Sequence, residues 1–343
     1  MKKLLAVILT LCLLAAFAGC AQQNPDIGSS SETPASSEAT AANPVDMNVY
    51  TLKGPTGMGM VKLMSDSDNS STANNYKFTL ASAPDEIVAA ISNGSADIAA
   101  CPINLASTLY KKTSGEVKLL AVNTLGVLYV LENGDTINSM ADLKGKTIYA
   151  TGQGATPEYT LNYLLEKNGI DPKNDVTIEY KSEHSELATL AAAGDAAIAV
   201  LPEPNVTSAL AQSEGGLRIA LDLTKEWNKV CDSQLAQGCI IVRKDFLENN
   251  TDAVNKFLTE YKASVDYVLN NADEAANLIE QYGIMAKAAL AKKALPNCNI
   301  TFLVGDDMKI MAAENLQVLF DANPASIGGA MPDDSFYYTG FEG

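Results

Sequence analysis

Two glycine-rich turns and two proline-flanked corners hold the residues of this chain best placed to do chemistry. Gly54-Pro55-Thr56-Gly57-Met58-Gly59 and Gly152-Gln153-Gly154-Ala155-Thr156-Pro157 each precede a helical pattern. Glycine lets a ligand approach backbone N–H groups at a helix start, where the helix dipole favours an anion. Neither turn ends in Gly-Lys-Ser/Thr, so neither is a nucleotide-cradling P-loop. Pro102, Ile103 and Asn104 follow one apolar run, and Glu203 and Asn205 follow another. Glu203 stands between Pro202 and Pro204, which hold it rigidly. Its carboxylate could accept hydrogen bonds from ligand amines or satisfy N–H groups of its own helix. Gln234 and Gln237 lie near a later loop and could reach ligand or solvent.

Catalytic patterns are missing from the sequence. His184 is the only histidine, so it makes neither a metal site nor a triad by itself. Ser82 and Ser182 read as helix caps before they read as nucleophiles, and no Gly-x-Ser-x-Gly elbow occurs. No CxxC occurs either, and no cofactor or metal is expected. Cys101, Cys231, Cys239 and Cys298 lie beyond the leader. Cys231 and Cys239 are close enough in sequence to pair across a loop, and free thiols are equally compatible.

The elements that must position these residues come twice. Residues 82–109 (SAPDEIVAAISNGSADIAACPINLASTL) and 182–209 (SEHSELATLAAAGDAAIAVLPEPNVTSA) align at an offset of one hundred without a gap. Each reads as an amphipathic helix ended by glycine, a short buried strand stopped by proline, and a second helix. Strand ends feeding helix N-termini are where open α/β sheets bind ligands. The repeat therefore predicts two similar lobes, each presenting one such edge.

Further strands are expected at 48–53, 76–81, 117–123, 127–131, 147–151, 176–180, 217–221 and 239–243. Helices are expected at 60–65, 158–168, 273–282, 285–295 and 305–320. A long one begins near Thr251, a candidate cap, with apolar positions at Val254, Phe257, Leu258, Tyr261, Val265 and Val268. Alternating strands and helices followed by a helical tail predict an α/β chain with mixed, largely parallel sheets.

At the N-terminus Lys2 and Lys3 precede an apolar stretch at 4–17 that is short for a membrane span. It ends in Phe17-Ala18-Gly19-Cys20, which resembles a bacterial lipoprotein signal with Phe17 in place of the usual leucine. Residues 1–19 are read as the signal peptide and Cys20 as the lipidated residue. Residues 20–46 carry almost no large apolar side chain and read as a flexible tether. The 343-residue chain has Lys+Arg 24 against Asp+Glu 41, a net charge of −17. That balance argues against nucleic acid and against electrostatic docking on anionic lipid.

Taken together, the strand–GPTG–helix start, NGSADIAACP, DLKGKTIYATGQGATPEYTL, AIAVLPEP, GCIIVRKDF and the helical tail resemble solute-binding proteins of ATP-binding-cassette importers. The type is the nitrate, sulfonate and taurine group with its relatives that bind thiamine-pyrimidine precursors. The resemblance covers residue 47 to about residue 320, and the 142–146 run and the Pro202-Glu203-Pro204 corner are its most specific parts. It implies a two-lobed periplasmic-binding-protein fold of type II with two hinge crossings. Lobe one would be 47–128 with 235–343, and lobe two 129–234.

On that resemblance Thr56, Gly57 and Met58 face the cleft from lobe one, with Gln153, Gly154, Ala155 and Thr156 as counterparts in lobe two. Pro102, Ile103, Asn104, Glu203 and Asn205 complete the candidate ligand site. Ile103 and Met58 would make an apolar wall and Glu203 a charged one, so a ring with a polar edge would satisfy both. The implied protein is a monomeric, lipid-anchored importer component outside the cytoplasm, which passes a small organic molecule to a permease. The family also resembles thiamine-pyrimidine synthases, enzymes that use histidine, lysine and a pyridoxal cofactor. A surface ligand sensor is a third reading of the same residues.

Overall fold

A computed structural model describes residues 43–341. The signal peptide, Cys20 and most of the tether lie outside the described residues. Strand β1 (Asp46–Leu52) enters a single helical turn, α1 (Pro55–Met58), and then α2 (Val61–Asp68). Next come β2 (Asn75–Ala81), α3 (Pro84–Ser92), β3 (Ile98–Pro102), α4 (Ile103–Lys112) and β4 (Val117–Leu125). The middle of the chain holds β5 (Leu128–Glu132), β6 (Thr147–Thr151), α5 (Thr156–Lys167), β7 (Thr177–Lys181) and α6 (His184–Ala193). It continues through β8 (Ile198–Pro202), α7 (Asn205–Gln212), β9 (Arg218–Asp222) and α8 (Leu223–Trp227). Then follow β10 (Ala236–Arg243), α9 (Lys244–Asn249), α10 (Thr251–Asn270), α11 (Ala272–Gln281), α12 (Ala288–Ala294), β11 (Ile300–Leu303) and α13 (Gly305–Ala322).

The strands form two sheets, ordered β11-β4-β10-β3-β1-β2 and β7-β6-β8-β5-β9. The chain passes from the larger to the smaller between β4 and β5 and returns between α8 and β10. Both sheets are mixed, as expected, but five of the nine pairings are antiparallel. Parallel pairing is confined to β2-β1-β3 and β7-β6-β8. The remaining strands either carry the chain between sheets or pair with those that do; β10, β11 and β5 run against their trio, whereas β4 and β9 run with it.

The repeat is structural. β3 and β8 have the same bounds one hundred residues apart, and each lies between a parallel partner and an antiparallel one. Gly94 and Gly194 both take positive φ, 77° and 87°, and end α3 and α6 as the sequence predicts. The serine caps do not form. Ala83 and Glu183 occupy the cap positions without side-chain bonds, and Ser82 instead donates its N–H to Glu86 Oε1. Thr251 likewise sits one residue inside α10, whose cap is Asn250, and its hydroxyl donates back to Leu247 O.

Side chains alternate across each strand, so the larger sheet has two cores. Val49, Ile98, Ala100, Ile240 and Val242 pack with α2, α10, α11 and α12. Ala99, Cys101, Val122, Cys239 and Ile241 pack on the other face with α3, α4 and α13. The smaller sheet repeats this, with Val130, Ile148, Ala150 and Val200 facing α5 and α8, and Leu131, Ala199 and Leu201 facing α6 and α7. Burial on both faces explains why IAACP and IAVLP read as unbroken apolar runs.

The 142–146 run has a local structural role. Asp142 accepts from Asn138 N, Ser139 N and Ser139 Oγ, and these bonds hold its carboxyl below the usual range. Lys144 pairs with Asp175 at 3.1 Å, fixing the turn before β6.

Candidate functional site

The site is assembled where strands of both sheets end. At the end of β3, Pro102 starts α4 and Asn104 lies on its first turn, 3% exposed. At the end of β6, Gly152 and Gly154 both take φ 76°, turning the chain into α5. A side chain on Gly152 would lie 2.8 Å from the Pro157 ring, so glycine is required by close packing as well. Thr156 opens α5, 2% exposed, and its Oγ1 donates to Asn104 Oδ1 at 2.9 Å. Asn104 Nδ2 donates to Ser326 O, which fixes the direction of the acceptor. Helices from the two sheets also pack together, α12 on α7 and α13 on α5.

Glu203 follows β8 and is 2% exposed. Its N–H donates to Val127 O, and its carboxylate accepts from Thr207 N at 3.1 Å and Thr207 Oγ1 at 2.9 Å. Burial raises its pKa, opposed by the Thr207 bonds and by the nearby Asn297 amide. Of the two roles open to it in the sequence, the carboxylate performs the local one here, satisfying its own helix. Asn297 precedes β11 of the larger sheet, so the acid also meets the opposite half of the molecule. Pro204 faces the first glycine-rich turn: a Cβ on Gly54 would lie 3.8 Å from Pro204 Cδ.

The structure does not form the expected apolar wall. Met58 packs on one face of the larger sheet, in contact with Cys298, whereas Ile103 packs on the other. Both are 0% exposed. They are separated because Met58 ends α1 and Ile103 begins α4, and these two helices pack on opposite faces of the sheet. Gly57 is held by packing too, since a Cβ there would lie 2.6 Å from Leu52 O. Gln153 and Gly154 are exposed, and Gly154 N donates to Glu158 Oε2. Pro102, Thr56, Ala155 and Asn205 are half-buried at the starts of their helices.

Crossing strands add residues that the motifs do not reveal. A Cβ on Gly238 of β10 would lie 2.7 Å from Asn123 Oδ1 and 2.9 Å from Thr56 Cγ2. Glycine therefore lets the α1 turn settle over the crossing strands. Asn123 is wholly buried and Gln237 is 9% exposed, and neither Asn123 Nδ2 nor Gln237 Nε2 has a partner among the described residues. The signal for Asn123 is a polar pair, Asn123-Thr124, that follows the apolar run at 119–122. A groove lined by Leu125, Gln234, Leu303 and Met311 shares no residue with this assembly.

His184 Nδ1 lies 2.6 Å from Thr151 Oγ1, and burial lowers its pKa, which favours the neutral ring. Among the described residues no cluster of His, Cys, Asp and Glu could hold a metal ion. None of the described helices is long and apolar enough to cross a membrane.

Residues 77–275 match the model of the family described as NMT1/THI5 like. No curated protein matches the chain. Among solved structures, an ABC transporter from Parabacteroides distasonis superposes with TM-score 0.72 at 24% identity, covering 86% of this chain and 99% of that one. The periplasmic aliphatic sulphonate binding protein SsuA from Escherichia coli gives 0.68 at 16% identity, over 82% and 94% of the two chains. The alkanesulfonate-binding protein SsuA from Xanthomonas axonopodis pv. citri, bound to MOPS, gives 0.64 at 15% identity, over 85% and 96%. Two mixed sheets with flanking helices are thus the fold this chain shares with periplasmic binding proteins.

Proposed function

The chain belongs to the NMT1/THI5-like family, and on that premise we propose that it is the extracytoplasmic solute-binding component of an ATP-binding-cassette importer. It captures a small organic molecule between two lobes, 47–128 with 235–343 and 129–234, and delivers it to the permease. The lobes close by rotation about the two crossings, and ligand contacts on both sides favour the closed form that the permease reads. Cys20 carries a lipid that anchors the monomer to the outer face of the membrane.

The observation that carries this reading is a pair of contacts between strand ends of the two sheets: Asn104 with Thr156, and the Glu203-Pro204 corner with Asn297 and the Gly54 turn. Residues so placed contact one another, or a common ligand, only when the halves are together. Recognition rather than catalysis fits the single histidine, which engages Thr151. Relatives of this fold are described as binding alkanesulfonates. That makes a sulfonate one candidate, and an amine-bearing ring facing Glu203 the other.

The test is direct. Purified protein is denatured, the released small molecules are identified by mass spectrometry, and each is titrated calorimetrically into stripped, refolded protein. One compound should rebind at one per chain. If the stripped protein binds none of these, nor any alkanesulfonate or aminopyrimidine, the solute-binding reading fails.

A further inference from the structure

Two cysteines that lie far apart in sequence face each other in the larger sheet. Cys101 of β3 and Cys239 of β10 are directly opposite in an antiparallel register that runs without a break from Gly238↔Pro102 to Val242↔Ile98. Both side chains enter the same core, both are 0% exposed, and their sulfurs are 4.0 Å apart. Directly opposed residues on antiparallel strands have Cα atoms about 4.5–5.5 Å apart, within the span a disulfide bridges. The pair is therefore within reach of a disulfide bond. Cys231, the nearer cysteine in sequence, instead has its sulfur 3.2 Å from Ser233 Oγ.

We propose that Cys101 and Cys239 are a disulfide site, oxidised as the chain folds in a thiol-oxidising compartment. The oxidant is a disulfide, either a small molecule or a protein. One cysteine thiolate attacks it, forming a mixed disulfide and releasing one thiol. The second cysteine then displaces the other thiol and closes the Cys101–Cys239 bond. Two protein thiols are oxidised and one external disulfide is reduced to two thiols. Burial raises the Cys239 thiol well above its usual pKa, so exchange belongs to the stage before α4 and α13 cover the pair. The bond joins two strands of one sheet and leaves the passages between the sheets free.

The full chain, purified in detergent, is unfolded under reducing conditions and refolded in a mixture of reduced and oxidised glutathione. It is then quenched with iodoacetamide and mapped by peptide mass spectrometry without reductant. The linked peptide carrying Cys101 and Cys239 should be the dominant disulfide. In a Cys101→Ala variant, Cys239 should be recovered alkylated. Where refolding is inefficient, the same mapping on protein isolated from cells without reductant and alkylated in denaturant gives the same reading. Recovery of both Cys101 and Cys239 in alkylated form overturns the proposal, and so does a Cys231–Cys239 link.

Discussion

Thr156 Oγ1 donates to Asn104 Oδ1 across 52 residues of sequence, and each residue lies on the first turn of a helix that follows a strand of a different sheet. The bond is buried, so its worth is that of a side-chain hydrogen bond shielded from water, about 0.5–1.5 kcal/mol. Thr156→Val keeps the shape and deletes the donor. The variant should bind the co-purified solute roughly three- to tenfold more weakly in calorimetry, with an unchanged circular dichroism spectrum. Wild-type affinity would mean the bond does not favour closure.

Glu203 gives a pH signature. Its folded pKa is raised above the reference of 4.5, so the folded protein holds this proton more tightly than the unfolded chain does. Its contribution to stability is fully present below pH 4.5 and is lost as pH rises through the folded value. Glu203→Gln is nearly isosteric: its oxygen can accept from Thr207 N while its amide donates to Thr207 Oγ1. The melting-temperature advantage of the variant over wild type should therefore grow from pH 4.5 upward. A constant difference across that range removes the buried acid as the cause.

The same substitution should weaken solute binding by about 1.5–3 kcal/mol where a ligand amine meets the carboxylate. Calorimetry on both forms decides this. Equal affinity would favour an anionic ligand held at the helix N-termini.

Gly238 is a point of close packing beneath the α1 turn. Gly238→Ala places a methyl group 2.7 Å from Asn123 Oδ1 and 2.9 Å from Thr56 Cγ2. Overpacking of this kind costs about 1–3 kcal/mol. Urea unfolding should show the midpoint falling with an unchanged slope; a midpoint at the wild-type value would show that the turn can move aside.

The anchor rests on sequence alone. Cys20→Ser should move the protein from the membrane to the soluble fraction of fractionated cells. Wild-type membrane retention of that variant would refute lipidation at Cys20.

The fold was legible because its signals are local. Burial on both faces makes IAACP and IAVLP unbroken apolar runs, and Gly94 and Gly194 end their helices by a conformation that glycine favours. Helix caps were less legible, since Ser82 and Ser182 each lie one residue before the cap position and Thr251 one residue after it. The site was partly legible. Asn104, Thr156 and Glu203 stand where strand ends and turns predict. The separation of Met58 from Ile103 was not, because which face of the sheet each helix covers is set by tertiary packing, a long-range property. Asn123 and Gly238 matter through each other, and no local pattern links residues on distant strands.

Strand β10 lies between β3 and β4 and pairs with both. All of β5 to β9 is encoded between β4 and β10. During synthesis the smaller sheet can therefore finish while the larger still lacks its central strand. Until residues 236–243 emerge, β3 has an open edge and β4 has nothing joining it to the β2-β1-β3 trio. The host half is completed by its own distant return, a non-local and hence slow closure, whereas the guest half closes on nearer neighbours. In that order of synthesis the waiting edge of β3 is the surface most in need of protection from premature pairing.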